Sequence, residues 1–127
     1  MKKSYWFLTI LLICSDVTLA NENIVAMHDK AKIYYQAAGS FSEDSYGCLQ
    51  KVKREGSTAM ISEDCDSARR YAKNQAMQIA VIKVMETAQG LSIEEQKIAW
   101  EDFVIRDFVR NYNEALDNMT DIIALIR

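Results

Sequence analysis

The sequence predicts an all-α protein, a four- to five-helix bundle with one disulfide. Three observations support this fold class. The chain has no proline and only four glycines in 127 residues, so few positions interrupt a helix. Apolar residues recur every seven positions over residues 98–126, which is helical spacing. Only two cysteines, Cys48 and Cys65, follow the N-terminal segment.

The N-terminal segment has the features of a secretory signal peptide. Lys2 and Lys3 form a short positive region, and a compact apolar run follows over residues 5–14. Small residues, Thr18 and Ala20, occupy the −3 and −1 positions of a cleavage site. The sequence therefore predicts a leader over residues 1–20, a single helical domain over residues 21–127, and a periplasmic location.

Two alternatives for the leader stay open. An uncleaved membrane anchor is disfavoured because the apolar run is well short of the ~20 residues that a spanning helix needs. A lipoprotein signal at Cys14 is disfavoured because Ile13, just before it, is not small. We expect no stable membrane insertion after the leader is cleaved.

Cys48 and Cys65 are predicted to form a disulfide. Two cysteines in a secreted domain usually pair, because the compartment is oxidising. A Cys-x-x-Cys redox spacing is absent, and a zinc site would need more ligands than one histidine, His28, allows. The cross-link should contribute ~3 kcal/mol of stability by restricting the unfolded chain.

The first half of the domain is predicted to contain two helices. The first covers residues 23–38 and ends at Gly39. A short second helix starts at Ser42 and ends at Gly56, although Gly47 weakens it. A hairpin across Glu55 and Gly56 is the competing interpretation, so residues 43–62 are left as helix or hairpin.

The second half is predicted to contain two long helices. One runs over residues 63–89 and ends at Gly90; its second half is apolar nearly all round, which is typical of a central helix. The next begins at Ser92, whose side chain would cap it with Glu95 reaching back. A break near Asn118 is expected. The seven-residue stripes of this helix are Ile98, Ile105, Tyr112, Met119 and Ile126, and Val109, Leu116 and Ile123.

Residues able to do chemistry are sparse, so the sequence predicts no enzyme, no metal site and no cofactor. His28 is the only histidine and is expected on a surface or half buried. Asp102 and Asp107 interrupt the apolar stripes, and we expect them at the rim of the core or in ion pairs with Arg106 or Arg110. No Gly-x-Ser-x-Gly elbow is present for nucleophilic catalysis.

Binding is therefore the function that the sequence favours. The net charge of −3 becomes −4 without residues 1–20, which argues against nucleic acid as a partner. The segment 39–47 sets two aromatic residues among acidic ones, and its disulfide-restrained loop would suit a basic cleft. Its predicted partner-binding residues are Phe41, Glu43, Asp44 and Tyr46. The alternative is a plain connector whose aromatic side chains enter the core.

A second candidate surface is the apolar stripe near the C-terminus. It would drive formation of a homodimer if no other helix covers it. The residues of this surface are Leu116, Met119, Ile123 and Ile126.

A cleaved leader, a small acidic helical domain, one disulfide and no catalytic set resemble the periplasmic immunity proteins of type VI secretion systems. The resemblance is one of architecture and assigns no site residue. It implies a protein that blocks an injected peptidoglycan-degrading effector, a muramidase or amidase, often as a homodimer. Two other functions stay open: a periplasmic helical adaptor or stress chaperone, and a small-ligand or haem binder with its pocket between the third and fourth predicted helices.

Overall fold

The computed structural model describes the backbone of residues 2–127 and the side chains of residues 21–127. The predicted leader and its cleavage site lie outside the described side chains, so the signal peptide stays a prediction. Over the described range, none of the helices has an apolar stretch of the length needed to span a lipid bilayer.

The described chain is helical from end to end and contains no strand. Its elements are α1 (Lys2–Glu55), a 3₁₀ segment (Gly56–Ile61), α2 (Glu63–Ala72), α3 (Gln75–Gln89), α4 (Ile93–Glu101) and α5 (Phe103–Ile126). Five α-helices confirm the predicted all-α class and number of helices. The hairpin across Glu55 and Gly56 is excluded, because α1 and the 3₁₀ segment occupy those positions.

α1 continues through Gly39 and Gly47, so the predicted helix end at Gly39 is wrong. A glycine inside a helix costs about 1 kcal/mol relative to alanine, which tertiary packing can offset. At Gly47 a Cβ atom would lie 3.2 Å from Asp64 Oδ2, so glycine lets α2 approach α1 closely. α1 ends before Gly56, whose φ of +73° is the left-handed conformation that glycine adopts without strain.

α1 is the central element of the bundle. α2 runs antiparallel to it, since Phe41 contacts Tyr71 while Cys48, further along α1, is bonded to the earlier Cys65. α5 runs parallel to α1, because the paired residues rise together along both helices. These pairs are His28 with Asp102, Tyr34 with Phe108, Ser42 with Glu114, and Ser45 with Asn118.

The helix predicted over residues 63–89 is two helices. The helix is interrupted at Lys73 and Asn74. The Asn74 side chain caps α3 by accepting a hydrogen bond from the Met77 N–H at 3.1 Å. α3 is not central, because its residues Ile79 and Ile82 are exposed. Its end at Gly90 and the start of α2 at Glu63 agree with the sequence prediction.

The predicted cap at Ser92 is confirmed, and the following helix is broken where no break was predicted. Ser92 Oγ accepts from the Glu95 N–H at 3.2 Å and donates to the Glu95 carboxylate at 2.7 Å. Asp102 ends α4 and caps α5, whereas α5 continues through Asn118 without interruption. The break explains why Ile98 is exposed although its stripe partner Ile105 is fully buried.

Two groups of buried side chains hold the bundle together. The main core joins α1, α3 and α5. Its largest side chains include Met27, Phe41, Met77, Phe108 and Tyr112. A smaller disulfide-end core lies where α1, the 3₁₀ segment, α2 and the end of α5 meet. Its buried members are Cys48, Leu49, Val52, Ala59, Cys65 and Ile122.

Candidate functional site

The predicted partner-binding segment lies on a helix, which changes what its residues can contact. Residues 39–47 are part of α1 rather than a loop. Phe41 is 0% exposed and packs between Tyr71 and Tyr112, with ring centroids 6.1 and 5.8 Å away. Helical periodicity turns position 41 toward both neighbouring helices. Phe41 is therefore a core residue, as the connector alternative expected, and cannot be a surface anchor.

Asp44 also has an internal role. Its Oδ2 accepts a hydrogen bond of 2.6 Å from the Ser67 hydroxyl on α2. This bond lies one turn before Cys48, so it helps to hold α2 against α1 near the disulfide. The structure thus places Phe41 and Asp44 in the contacts between helices.

The remaining two predicted residues form an exposed surface with a third residue from α5. Tyr46 is 59% exposed, and Glu43 lies on the same side of α1 one turn away. Ser42 Oγ, also within one turn of Tyr46, donates to Glu114 Oε2 at 3.4 Å. We call Glu43, Tyr46 and Glu114 the acidic–aromatic face. Sequence reasoning missed Glu114, which lies far away along the chain.

The acidic–aromatic face sits on a rigid support. The Cys48–Cys65 disulfide, predicted from the sequence, is present with its Cα atoms 4.7 Å apart. Asn118 Nδ2 on α5 donates to the fully buried Ser45 hydroxyl at 3.1 Å. The disulfide joins α1 to α2, and this hydrogen bond joins α1 to α5, within a turn of Tyr46.

A second polar cluster joins His28 and Asp102. His28 Nδ1 donates to Asp102 Oδ2 at 2.7 Å, and both side chains are part buried. The other oxygen, Asp102 Oδ1, accepts from the backbone N–H groups of Val104 and Ile105 at 2.9 and 3.3 Å. One carboxylate therefore fixes the start of α5 and the position of α1, and sequence alone gave no sign of a pair 74 residues apart.

The expected ion pairs of the two stripe carboxylates are confirmed for only one of them. Asp107 Oδ1 lies 3.1 Å from Arg106 Nε and 3.0 Å from an Arg110 guanidinium nitrogen. Asp102 pairs with His28 instead, because it lies at the helix break rather than along α5. His28 is half buried, as predicted.

Burial affects the ionisation of the Tyr112 side chain. Its side chain lies in the main core, and desolvation by burial raises the pKa of the phenol above its usual value. The neutral form is the one that packs against Phe41. This perturbation accompanies a core position rather than an open cleft, so we assign Tyr112 a structural role.

The predicted dimer surface is partly used within the chain. Met119 packs against both cores, whereas Leu116, Ile123 and Ile126 are exposed. Three of the four residues therefore remain accessible on α5, although Ile122 of the same helix is buried. Formation of a homodimer through these residues stays a prediction.

No cluster of three or more histidine, cysteine, aspartate or glutamate residues in the described part of the chain is arranged to hold a metal ion. The chain matches no family model, and comparisons with curated proteins and with solved structures found no similar chain. The class that fold and site define is thus a disulfide-linked five-helix bundle with an acidic, aromatic surface.

Proposed function

We propose that the protein is an exported inhibitor that binds and blocks a basic peptidoglycan-degrading enzyme, a muramidase or amidase, without catalysing a reaction itself. In this proposal it acts as a periplasmic immunity protein against a type VI secretion effector. The observation that carries the proposal is the exposed Tyr46 ring, which lies one helical turn from Glu43 and from Ser42, the hydrogen-bond partner of Glu114.

Charge supports a basic partner. Glu43 is exposed, and the only cation near Glu114 among the described residues is Arg110, whose Nε lies 4.0 Å away. An exposed pair at this distance neutralises little charge. Substrate clefts that bind anionic polymers are lined by cations, so an acidic surface would meet complementary charge there, which speeds association and excludes other partners.

Rigidity supports tight binding. Tyrosine is among the side chains that dominate interface energy, since it offers a large contact area with few rotatable bonds. Here it projects from a regular helix that the disulfide joins to α2. Little conformational entropy would be lost on binding, and that loss is one of the main costs of forming a complex.

The test is whether a secreted peptidoglycan hydrolase is encoded beside this gene and whether the protein inhibits it, measured as the clearing of a purified peptidoglycan suspension. We expect inhibition by the wild-type protein and a roughly 30-fold weaker effect from Tyr46→Ala, the loss typical of a central anchor. Glu43→Gln with Glu114→Gln should mainly slow association and weaken its salt dependence. Gln36→Ala, exposed on the same helix, is the matched control.

Two outcomes would contradict the proposal. The first is a hydrolase that the wild-type protein leaves fully active. The second is prevention of aggregation of several unrelated proteins in a light-scattering assay, which would indicate the chaperone function instead. If inhibition is found but both variants of the face retain it, the function stands and the assigned surface is wrong.

A further inference from the structure

A groove of about 330 Å³ runs between α1 and α3, on a different side of α1 from the acidic–aromatic face. Its walls are Ile33 and Tyr34 from α1 and Ile79 from α3. Ala76 and Ala80, one turn apart on α3, leave the depression open because their side chains are small. The volume lies at the lower end of the range for small-molecule sites, about 300–1,000 Å³.

The walls of the groove expose two isoleucines side by side on neighbouring helices. Ile33 is 72% exposed and Ile79 is 52% exposed. A single exposed apolar residue is ordinary on a protein surface, whereas two that line one concave groove form a continuous apolar site. Filling the groove with hydrocarbon would remove both side chains from water.

Two lysines, Lys30 and Lys83, complete the lining, which contains no carboxylate. Within residues 21–127, no Asp or Glu oxygen lies within 4.0 Å of either ammonium group. The groove is therefore cationic and apolar, although the chain as a whole is acidic.

The register of the helices places both lysines at the same end. Moving along α1 from Cys48 to Phe41, the residue opposite changes from Cys65 to Tyr71. We infer that α3 keeps this antiparallel direction across the turn at Lys73 and Asn74, because Ile33 and Ile79 line the same groove, and this direction brings Lys83 level with Lys30. One end of the groove thus carries two positive charges, and the rest is apolar.

We propose that this groove binds a single-chain anionic amphiphile. The carboxylate or phosphate head would lie between Lys30 and Lys83, and the hydrocarbon chain between Ile33 and Ile79. Charge complementarity selects the head, and exclusion of water from the isoleucines holds the tail. A zwitterionic or cationic head would lose the attraction while keeping the apolar contact.

Isothermal titration calorimetry of the full protein tests this with three probes below their micelle concentrations: dodecanoate, dodecyl phosphate and dodecyltrimethylammonium. We expect saturable one-to-one binding of the anions and at least tenfold weaker binding of the cation. Binding of only one anion supports the proposal and identifies the head. No saturable binding, or equal affinity for the cation, overturns it.

Variants separate the groove from other surfaces. Lys30→Gln with Lys83→Gln should lower the affinity for the anions roughly tenfold, the loss of two partly exposed ion pairs. Lys32→Gln with Lys97→Gln removes the same charge outside the groove and should change nothing. Ile79→Ser should weaken all probes alike, with an unchanged circular dichroism spectrum. An equal loss of anion affinity in the control variant would contradict the proposal. So would a protein that binds an acidic helical peptide but none of the amphiphiles.

Discussion

The two ends of the bundle are held together by different kinds of interaction. The main core buries large aromatic and aliphatic side chains from three helices, and the rings of Tyr71 and Tyr112 both pack against Phe41. The disulfide-end core has six buried members, of which the largest apolar ones are Leu49 and Ile122. Where few large side chains are available, a covalent bond between α1 and α2 takes their place.

The magnitudes make the comparison concrete. Replacing a buried phenylalanine by alanine lowers the free energy of unfolding by roughly 3–5 kcal/mol, because apolar burial is lost and a cavity remains. A disulfide that closes a 17-residue separation contributes about 3 kcal/mol by restricting the unfolded chain. One cross-link therefore stabilises the small end about as much as one large aromatic side chain stabilises the other.

The largest effect is expected from Phe41→Ala. Phe41 is fully buried between α2 and α5, so the change should lower the free energy of unfolding by about 3–5 kcal/mol. Urea denaturation followed by circular dichroism measures it. Tyr46→Ala, at an exposed position on the same helix, should change the free energy by less than about 0.5 kcal/mol. Comparable losses of unfolding free energy from both variants would mean that α1 is rotated about its axis relative to this structure.

Replacing both cysteines, as Cys48→Ala with Cys65→Ala, should cost about 3 kcal/mol. Its effect should be unequal along the chain, because only the disulfide-end core depends on the cross-link. Amide hydrogen exchange should speed up first in the 3₁₀ segment and at the end of α5, around Ile122.

Wild-type protein treated with a reductant is the control for the cysteine replacement, and it should show the same pattern. If amides near Phe108 in the main core lost protection equally, the two ends would unfold as one unit, and the distinction between them would fail.

The substitution Asp102→Ala, at the end of the bundle opposite to the disulfide, is expected to have a smaller effect. The change removes the cap of α5 and the bond to His28, so we expect a loss of about 2 kcal/mol in unfolding free energy. Ser92→Ala removes a cap alone and should cost about 1 kcal/mol. Combining Asp102→Ala with His28→Ala should add almost nothing, since the bond is already lost. Full additivity would show that the pair does not stabilise the junction.

Local signals in the sequence were sufficient for part of the fold. The Ser92 cap, the helix ends at Gly90 and Gly56 and the Cys48–Cys65 pairing were predicted because each depends on chemistry within a short stretch or on a single pairing choice. The absence of proline favoured helices throughout, and the structure contains no strand in residues 2–127.

Errors arose where packing between distant residues overrode a local preference. Gly39 was predicted to end a helix and Gly47 to weaken the next one, yet α1 continues through both, and α2 packs closely against it at Gly47. The apolar surface of residues 75–89 suggested a central helix, but Ile79 faces outward beside Ile33. Of the four predicted partner-binding residues, Glu43 and Tyr46 are exposed, while Phe41 and Asp44 make contacts between helices.

By itself, the sequence determined the helical class, the approximate ends of several helices and the single cross-link, since backbone propensity, caps and cysteine number are local or countable properties. Only the tertiary structure decided which helix is central, where the break between α4 and α5 falls, and which residues share a surface. The physical reason is that a side chain's exposure depends on the helices packed around it. Pairs such as His28 with Asp102, or Lys30 with Lys83, are brought together by that packing alone.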